Sequence, residues 1–363
     1  MLARSAYPIR CAIAILCVGF LSSCEEDVGM EAFPPMDNDN PPGASPEAIA
    51  TATALGRGVN ISQMFEWTTV GKDFPVAGHL IAKAKAAGFT SIRLPIRWSS
   101  HASATAPYTI DEAFFTQVES VVDQALAAGF YVVLNMHHHR QLDGDPLDGG
   151  EFGVEEGIVN VRFLTMWKQI AERYRYKSNR LVFELYNEPH GTLTDMRWND
   201  LIARAVNAVR KVNRNRIIMI GPTVWNTAGA LSELRLPNDA NLIVTIHNYE
   251  PFYFTHQGAE WISPLPPTGI TCCTAAQQTG ITNPLETAKL WSAANRYPIF
   301  VGEFGAYSTA AMESRVNFTR YIRDQMEARG MSWAYWELQS SFGVYDLTTQ
   351  TWRTDLLNAL VGP

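Results

Sequence analysis

The stretch RLVFELYNEPHG at residues 180–191 is a short apolar run that ends abruptly in polar residues. The run favours a buried strand, and Asn187 and Glu188 stand at its end. A carboxylate at the end of a buried strand is costly to desolvate, so it is either a satisfied structural group or one that the strand positions for function. A helical pattern follows at residues 198–212. This segment therefore predicts a strand, a functional loop and a helix, in that order.

The same order of apolar run and helical pattern recurs along the whole chain. The eight apolar runs lie at residues 55–61, 90–96, 131–136, 181–187, 216–222, 241–247, 298–304 and 332–338. They are continuous rather than alternating, as parallel strands covered on both faces should be. Eight such units predict the α/β class and a single closed (β/α)8 TIM barrel. An open doubly wound sheet is the alternative, but GRGVNISQ at residues 56–63 lacks the spacing of a phosphate-binding turn.

The N-terminus predicts an export signal followed by a tether. Basic residues precede the apolar run CAIAILCVGFLSSC at residues 11–24, which is typical of a secretory signal. Its end resembles a bacterial lipobox, which implies a lipoprotein-type signal at 1–23 and a lipid anchor at Cys24; an ordinary signal peptide is the alternative. The acidic, Pro-rich residues 24–48 predict a disordered linker, which leaves 49–363 as the catalytic domain. We expect an exported protein, either tethered to the outer membrane of a Gram-negative bacterium or secreted.

Charge and cysteine content limit the partners. The chain has 36 acidic residues against 29 Lys and Arg, and no basic patch indicates nucleic acid as a partner. An acidic chain with 10 Trp and 13 Tyr suits a neutral, hydroxyl-rich ligand better. Cys272 and Cys273 are adjacent in a loop rich in Gly, Pro and Thr, so they form either a vicinal disulfide or two free thiols. A monomer is expected.

The residues after the predicted strands are nearly all polar or aromatic, and in a barrel these strand ends carry function. They are Asn60, Glu66, Arg93, His137, His138, His139, Asn187, Glu188, Trp225, His247, Tyr249, Glu303 and Trp336. Glu188 and Glu303, after strands four and seven, fit the pair of carboxyl groups that glycosidic bond cleavage needs. We expect Arg93 and Tyr249 to hydrogen-bond Glu303 and keep it ionised, and its charge to raise the pKa of Glu188.

Five motifs in order, IRLPIRW, NEP, HNYEPF, GEFG and AYWEL, together resemble glycoside hydrolase family 5. The stretch HNYEPFYFTHQGAEW resembles the bacterial branch that cleaves β-1,4-glucan and often mannan, although Asn248 replaces a common aromatic. The resemblance implies that Glu188 is the acid/base and Glu303 the nucleophile. It also implies a cis peptide after Trp336, and neither a cofactor nor a metal. The resemblance further implies that Arg93 and Tyr249 position the nucleophile, that Asn187 binds the sugar 2-hydroxyl and that His247 supports the acid/base. It also implies that His137 and His138 line the cleft and that Trp336 is the sugar platform at the cleavage subsite.

Other residues have weaker assignments. Trp261, in a long loop, favours stacking on sugar, whereas Trp225 either stacks or packs. Glu66 is either an outer-subsite contact or a solvated loop acid. Glu184 lies on the same strand and at the same parity as Glu188, which predicts a deeper partner of Arg93. The triplet at 137–139 suggests a metal, but strand alternation separates its middle residue from the others and no paired-ligand spacing supports a site.

The sequence therefore predicts a retaining endo-β-1,4-glucanase that works by double displacement through a covalent glycosyl-enzyme intermediate. Its expected substrates are β-glucan and, further, mannan or glucomannan. A β-mannanase or xyloglucanase with weak cellulase activity is the alternative within enzymes. A non-catalytic glycan-binding lipoprotein and a metal-dependent hydrolase are the alternatives of other classes.

Overall fold

Eight parallel strands close into a barrel in the computed structural model, which describes residues 29–362. Each strand pairs with the next, and β8 returns to pair with β1. The strands are β1 (Arg57–Asn60), β2 (Ser91–Leu94), β3 (Tyr131–Asn135), β4 (Leu181–Glu184), β5 (Ile218–Ile220), β6 (Leu242–His247), β7 (Ile299–Glu303) and β8 (Ser332–Tyr335). The predicted barrel and its eight strands are confirmed, and the closure excludes the open doubly wound sheet.

Helices alternate with the strands and surround the barrel. They are α1 (Pro46–Leu55), α2 (Ala77–Ala87), α3 (Glu112–Ala127), α4 (Arg140–Asp143), α5 (Val159–Arg173), α6 (Asp195–Val212), the single turn α7 (Thr223–Asn226), α8 (Phe252–Thr255), α9 (Ala275–Asn295), α10 (Met312–Glu327) and α11 (Thr354–Val361). Two short strands, β9 (Tyr345–Asp346) and β10 (Thr351–Trp352), form a hairpin after β8. Within residues 29–362, no helix has the length and apolar character needed to cross a membrane.

Helix α6 shows how the apolar pattern produces this packing. Its larger buried side chains and Ala205 recur at three- and four-residue intervals; they are Trp198, Leu201, Ile202, Ala205, Val206 and Val209, and the small Ala203 and Ala208 are buried as well. This spacing places them on one face of the helix, which packs against the barrel. The acidic Asp195 lies in the first turn and the basic Arg210 and Lys211 in the last, which complements the helix dipole.

The prediction of a disordered linker is wrong for the part of it that the structure describes, residues 29–48. Phe33 is 6% exposed, and its carbonyl accepts a hydrogen bond from Arg204 on α6 at 2.9 Å. Ser45 caps α1, which begins at Pro46, so the predicted domain boundary at residue 49 falls inside a helix. Acidic and Pro-rich composition does not prevent ordering here, because α6 supplies a surface that the segment cannot make itself. The predicted signal, Cys24 and its lipid lie outside the described residues.

Helix α1 closes the N-terminal end of the barrel. Its Ala48, Ala52 and Leu55 are buried in a cluster with side chains from the interior of the barrel strands. These partners are Val133, Val182, Met219, Ile243, Phe300 and Ala334. The interior is therefore a packed core below the active site, and only the C-terminal end of the barrel is open to ligands.

The loop between β6 and α9 contains the two cysteines of the folded body. Cys272 and Cys273 are joined by a vicinal disulfide, which confirms that alternative over two free thiols. Helix α9 then begins at Ala275. A capping box between Thr274 and Gln277 starts the helix, and Pro284 lies inside it.

Candidate active site

The Arg93 guanidinium is the centre of the polar network at the C-terminal ends of the strands. Its Nε and Nη2 donate to the two oxygens of Glu184 at 2.6 and 2.8 Å, and Nη1 donates to Glu303 Oε1 at 2.7 Å. The side-chain oxygens of Asn60 and Asn187 accept further bonds at 2.9 and 2.6 Å. Both Arg93 and Glu184 are fully buried. Glu184 is therefore the deeper partner of Arg93 that the strand pattern predicts.

Glu303 ends β7 with a donor at each carboxylate oxygen. Arg93 donates to Oε1, and the Tyr249 hydroxyl donates to Oε2 at 2.9 Å. Burial raises the pKa of Glu303, although the Arg93 cation lowers it in part. Two donors facing the two oxygens match the ionised carboxylate, since that form only accepts hydrogen bonds. The expected contacts of Arg93 and Tyr249 with Glu303 are therefore present.

Glu188 has a different environment. Its Oε1 lies 2.7 Å from His247 Nδ1, and Asn226 Nδ2 lies 3.4 Å from the other ring nitrogen of His247. Burial raises the pKa of Glu188 to about 7, although the positive charges of Arg93 and His190 oppose this rise. Burial also lowers the pKa of His247 to about 4, so the ring is neutral at neutral pH. Glu188 thus retains a proton at a pH where an ordinary glutamate has lost it.

The two glutamates lie close together at the C-terminal end of the barrel. A carboxylate oxygen of Glu188, one of Glu303 and a ring nitrogen of His247 all lie within 4.8 Å of one another. Carboxyl groups about 5 Å apart are typical of glycosidases that retain anomeric configuration, and inverting enzymes need a wider gap for water. Because their environments differ, one group suits proton donation and the other suits nucleophilic attack.

The same three side chains have the spacing of a possible metal site. However, the oxygens of Glu303 already accept bonds from Arg93 and Tyr249. The Arg93 cation, 2.7 Å from Glu303, would also repel a second positive charge. The cluster therefore fits a pair of acids better than a metal centre.

Trp336 and His137 form a wall of the cleft. Their rings stack with centroids 5.4 Å apart and an interplanar angle of 5°. The predicted cis peptide between Trp336 and Glu337 is present. His137 and His138 contact each other edge to face at 4.6 Å, which the alternation argument did not predict. Strand alternation does not apply to the histidines, because β3 ends at Asn135, before them.

A family model for cellulase (glycosyl hydrolase family 5) matches residues 52–341 of the chain. The chain belongs to glycosyl hydrolase family 5. It is 34% identical over 333 residues to endoglucanase H of Acetivibrio thermocellus, an alignment that covers 89% of this chain but only 35% of that protein. The solved structure of Thermotoga maritima Cel5A in complex with cellobiose is 41% identical, with a TM-score of 0.80. That match covers 86% of this chain and 100% of the other.

A second structure of the same Thermotoga maritima protein, titled as a complex with a mannotriose substrate, is 40% identical with a TM-score of 0.80. It covers 86% of this chain and 100% of that one. The family match at residues 52–341 spans all eight barrel strands and includes all the predicted site residues of this glycosyl hydrolase.

Two predicted tryptophans of this glycosyl hydrolase, in the segments after β5 and β6, lie exposed. Trp225 is 52% exposed and stacks on His190, with ring centroids 4.9 Å apart and 16° between planes. Trp261 is 58% exposed and packs edge to face against Tyr307 at 4.9 Å. Large aromatic faces left open to solvent suit stacking on sugar rings.

Asn60 and Glu66 are both buried side chains. Asn60 is fully buried, and its amide donates to the Gly302 carbonyl while its oxygen accepts from Arg93. It therefore supports Arg93 and does not reach the substrate. Glu66 is only 5% exposed, so it is not a solvated loop acid. Burial raises the pKa of Glu66 to about 8, and its Oε2 has no hydrogen-bond partner among the described residues.

Several side chains of the site were missed by the sequence analysis. His190 follows the NEP motif directly and contacts both Glu188 and Trp225. Asn226 supports His247, and it lies in a turn with positive φ angles that no sequence pattern indicates. The position of His190 beside the motif was the one signal that could have identified it.

Proposed function

We propose that the protein is a retaining endo-β-1,4-glucanase, with Glu188 as the acid/base and Glu303 as the nucleophile. The observation that supports this most is the pair of carboxyl groups, which have oxygens within 4.8 Å of each other and lie in different electrostatic environments. In this proposal, ionised Glu303 attacks the anomeric carbon while protonated Glu188 gives its proton to the leaving oxygen. Glu188 then takes a proton from the water that hydrolyses the glycosyl-enzyme intermediate.

The surroundings of each glutamate support its role. Arg93 and Tyr249 orient the attacking oxygens of Glu303 and stabilise their charge. Formation of the covalent bond removes that charge, and the repulsion between the two carboxyl groups disappears with it. The pKa of Glu188 then falls, which prepares it to act as a base in the second step. Neutral His247 keeps Glu188 in place without adding a competing charge.

Substrate binding is assigned to the groups around this pair. Because Arg93 donates to the side-chain oxygen of Asn187, we assign the amide nitrogen of Asn187 to the sugar 2-hydroxyl. His137, His138 and Trp336 line the cleft, with Trp336 as the platform at the cleavage subsite. Trp225 and Trp261 provide outer platforms, and the unpartnered oxygen of Glu66 is a further position for a hydroxyl contact. This combination of polar groups and open aromatic faces fits a neutral polysaccharide.

Mannan or glucomannan hydrolysis is a second activity of the same site. It is supported by the similarity to the Thermotoga maritima structure titled as a mannotriose complex. A β-mannanase or xyloglucanase with weak cellulase activity remains the nearest alternative. A non-catalytic glycan-binding lipoprotein is less well supported, because a binder does not need two carboxyl groups held with different protonation.

The decisive experiment combines product analysis with two variants. Protein beginning at residue 25 is assayed on carboxymethylcellulose, glucomannan and xyloglucan, since a start at residue 49 would cut α1. Proton NMR of the first products determines whether the anomeric configuration is retained. Glu188→Gln and Glu303→Gln each abolish activity on these substrates without changing the circular dichroism spectrum. Full turnover by Glu303→Gln, or inverted products, contradicts the assignment.

Export and a lipid anchor at Cys24, with a monomeric state, complete the proposal. Export and the lipid anchor rest on the signal-like and lipobox-like residues before position 25. Expression of the full chain with Cys24→Ser tests the anchor. The unaltered chain fractionates with membranes and the variant does not; the same fractionation of both chains contradicts the lipid.

A further inference from the structure

His190 places both of its ring nitrogens against hydrogen-bond acceptors. Nδ1 lies 2.6 Å from the backbone carbonyl oxygen of Glu188, and Nε2 lies 3.3 Å from Asp145 Oδ2. A carbonyl oxygen and an ionised carboxylate accept hydrogen bonds but cannot donate them. Both nitrogens must then donate, which only the protonated imidazolium can do. The geometry therefore indicates a positive charge on His190.

The groups around His190 favour this charge. Asp143 Oδ1 lies 3.6 Å from Nδ1, and it also accepts the backbone N–H of His190. Arg140 donates to Asp145 at 2.9 Å, which keeps that carboxylate ionised. His138 also faces this region, but burial lowers its pKa to about 3, so it adds no positive charge. Burial alone would lower the pKa of His190, but Asp143 and the hydrogen bonds raise it above its ordinary value.

The same ring contacts the exposed Trp225. The two rings are nearly parallel, and the Trp225 backbone N–H donates to the Pro189 carbonyl at 3.3 Å. Trp225 has a φ of 53°, a conformation that its neighbours must hold in place. A cation stacked on an indole face is attractive, and more so where water is partly excluded. His190 thus connects the residue that bears the proton to the aromatic platform beside it.

We propose that His190 is a charged positioning residue that aligns the Glu188 backbone and the Trp225 ring for the leaving-group side of the substrate. The acid/base protonates the leaving oxygen, so a platform that His190 joins to the Glu188 backbone is assigned to the sugar on that side. This inference rests on the proposed function, because it takes Glu188 as the proton donor. It assigns a role to a residue that does not itself touch the reacting atoms.

The charge of His190 has a measurable effect on Glu188. It lowers the pKa of Glu188, because a nearby cation favours the carboxylate. Replacement of His190 by a neutral ring therefore raises the pKa of Glu188. The alkaline limb of the activity profile then moves to higher pH, since Glu188 keeps its proton longer. A residue with a packing role alone would lower activity without moving this limb.

His190→Phe is the principal variant, and His101→Phe is its matched control. His101 also stacks on an aromatic ring, Phe114, at 3.6 Å, but burial lowers its pKa to about 4. We expect His190→Phe to lower kcat/KM on cellotetraose by about 10- to 100-fold. The loss is smaller on 2,4-dinitrophenyl β-cellobioside, whose leaving group needs neither a proton nor a sugar platform. The control variant retains the wild-type profile on both substrates.

NMR of 15N-histidine-labelled wild-type protein tests the charge directly and does not depend on activity. His190 gives the shifts of a doubly protonated ring at pH 7, assigned by their loss in His190→Gln or, should that variant not fold, by their change in Asp145→Asn. A neutral His190 ring at pH 7, or equal losses on the two substrates with an unmoved alkaline limb, overturns the proposal. If Glu188→Gln remains active, the proposed function fails instead, whatever the state of His190.

Discussion

Arg93 and Glu184 form a two-point ion pair on the floor of the active site, with Nε–Oε2 and Nη2–Oε1 distances of 2.6 and 2.8 Å. Both side chains are 0% exposed, and the same guanidinium contacts Glu303. Buried pairs add little net stability, because the cost of removing two charges from water offsets their attraction. The pair therefore serves to orient Glu303, the proposed nucleophile, more than to stabilise the barrel.

Removal of one partner from this pair is costly. We expect Glu184→Gln to lower the free energy of unfolding by about 3 kcal/mol, because Arg93 keeps a buried charge with one fewer anion. Urea denaturation measures the change. The control is Glu327→Gln, which breaks a two-point pair with Arg57 at the surface and should cost about 1 kcal/mol or less. Equal losses in the two variants would contradict the argument from burial.

The activity on unactivated β-1,4-glucan should decrease as pH rises through about 7. The pKa of Glu188 is raised to about 7, so the group is protonated below that pH and unable to donate above it. The pH dependence of kcat/KM on cellotetraose measures this limb. An aryl cellobioside with an activated leaving group should show a weaker limb, since it does not need the proton. A limb near pH 4.5 on both substrates would exclude Glu188 as the proton donor.

Glu66 should make the folded state less stable as pH rises. Its pKa is about 8 in the folded state, so the fold binds a proton that the unfolded chain has released above pH 4.5. The stability that protonated Glu66 gives the folded state is therefore present at low pH and is lost as the pH rises toward 8. Glu66→Gln should reduce the fall in Tm between pH 5 and 9. Glu156→Gln, at an exposed residue, should leave that fall unchanged. Parallel Tm curves for all three proteins would contradict the prediction.

Phe33 should contribute to stability although it precedes the barrel. It is 6% exposed and packs against the main core, so Phe33→Ala should lower the free energy of unfolding by about 3 kcal/mol. Met196→Ala, at a side chain that is 80% exposed on α6, provides the comparison and should change stability by less than about 0.5 kcal/mol. A Phe33→Ala protein as stable as the wild type would mean that the segment does not dock in solution.

Trp336 should act mainly through substrate binding. We expect Trp336→Ala to raise KM on cellotetraose by about tenfold, equivalent to about 1.4 kcal/mol, with a fluorescence-detected loss of oligosaccharide affinity. Tyr176→Ala, at a residue 90% exposed beyond α5 and just before β4, should leave both constants unchanged. If KM is unchanged in Trp336→Ala, the platform lies elsewhere in the cleft.

The barrel, and the meeting of Glu188 and Glu303 at one end of it, were predictable because both follow from local sequence patterns. Continuous apolar runs identify strands buried on both faces, and the polar residues after them lie at one end of the barrel. The same reasoning identified Glu184 as a partner of Arg93. These inferences need only the order of residues within a strand, and the fold then brings Glu188 and Glu303 together.

Predictions failed where burial depends on distant parts of the chain. Asn60 was assigned to the substrate because it ends a strand, but Arg93 and Gly302 take up its side chain. Residues 29–48 were taken as a linker from composition alone, and their docking surface on α6 lies more than 150 residues away. His190 was left without a role, since nothing local indicates that Asp145 and Trp225 surround it.

The position of the N-terminal segment has a practical consequence for attachments. Because α1 closes the barrel at the end opposite the polar strand ends and residues 33–36 lie against α6, anything joined directly before residue 29 is attached at the side of the enzyme. An affinity tag, a surface linker or a carbohydrate-binding module fused there leaves the mouth clear for a long polysaccharide. A fusion made at residue 49 would instead cut α1 and remove Ala48 from the cluster that closes this end of the barrel.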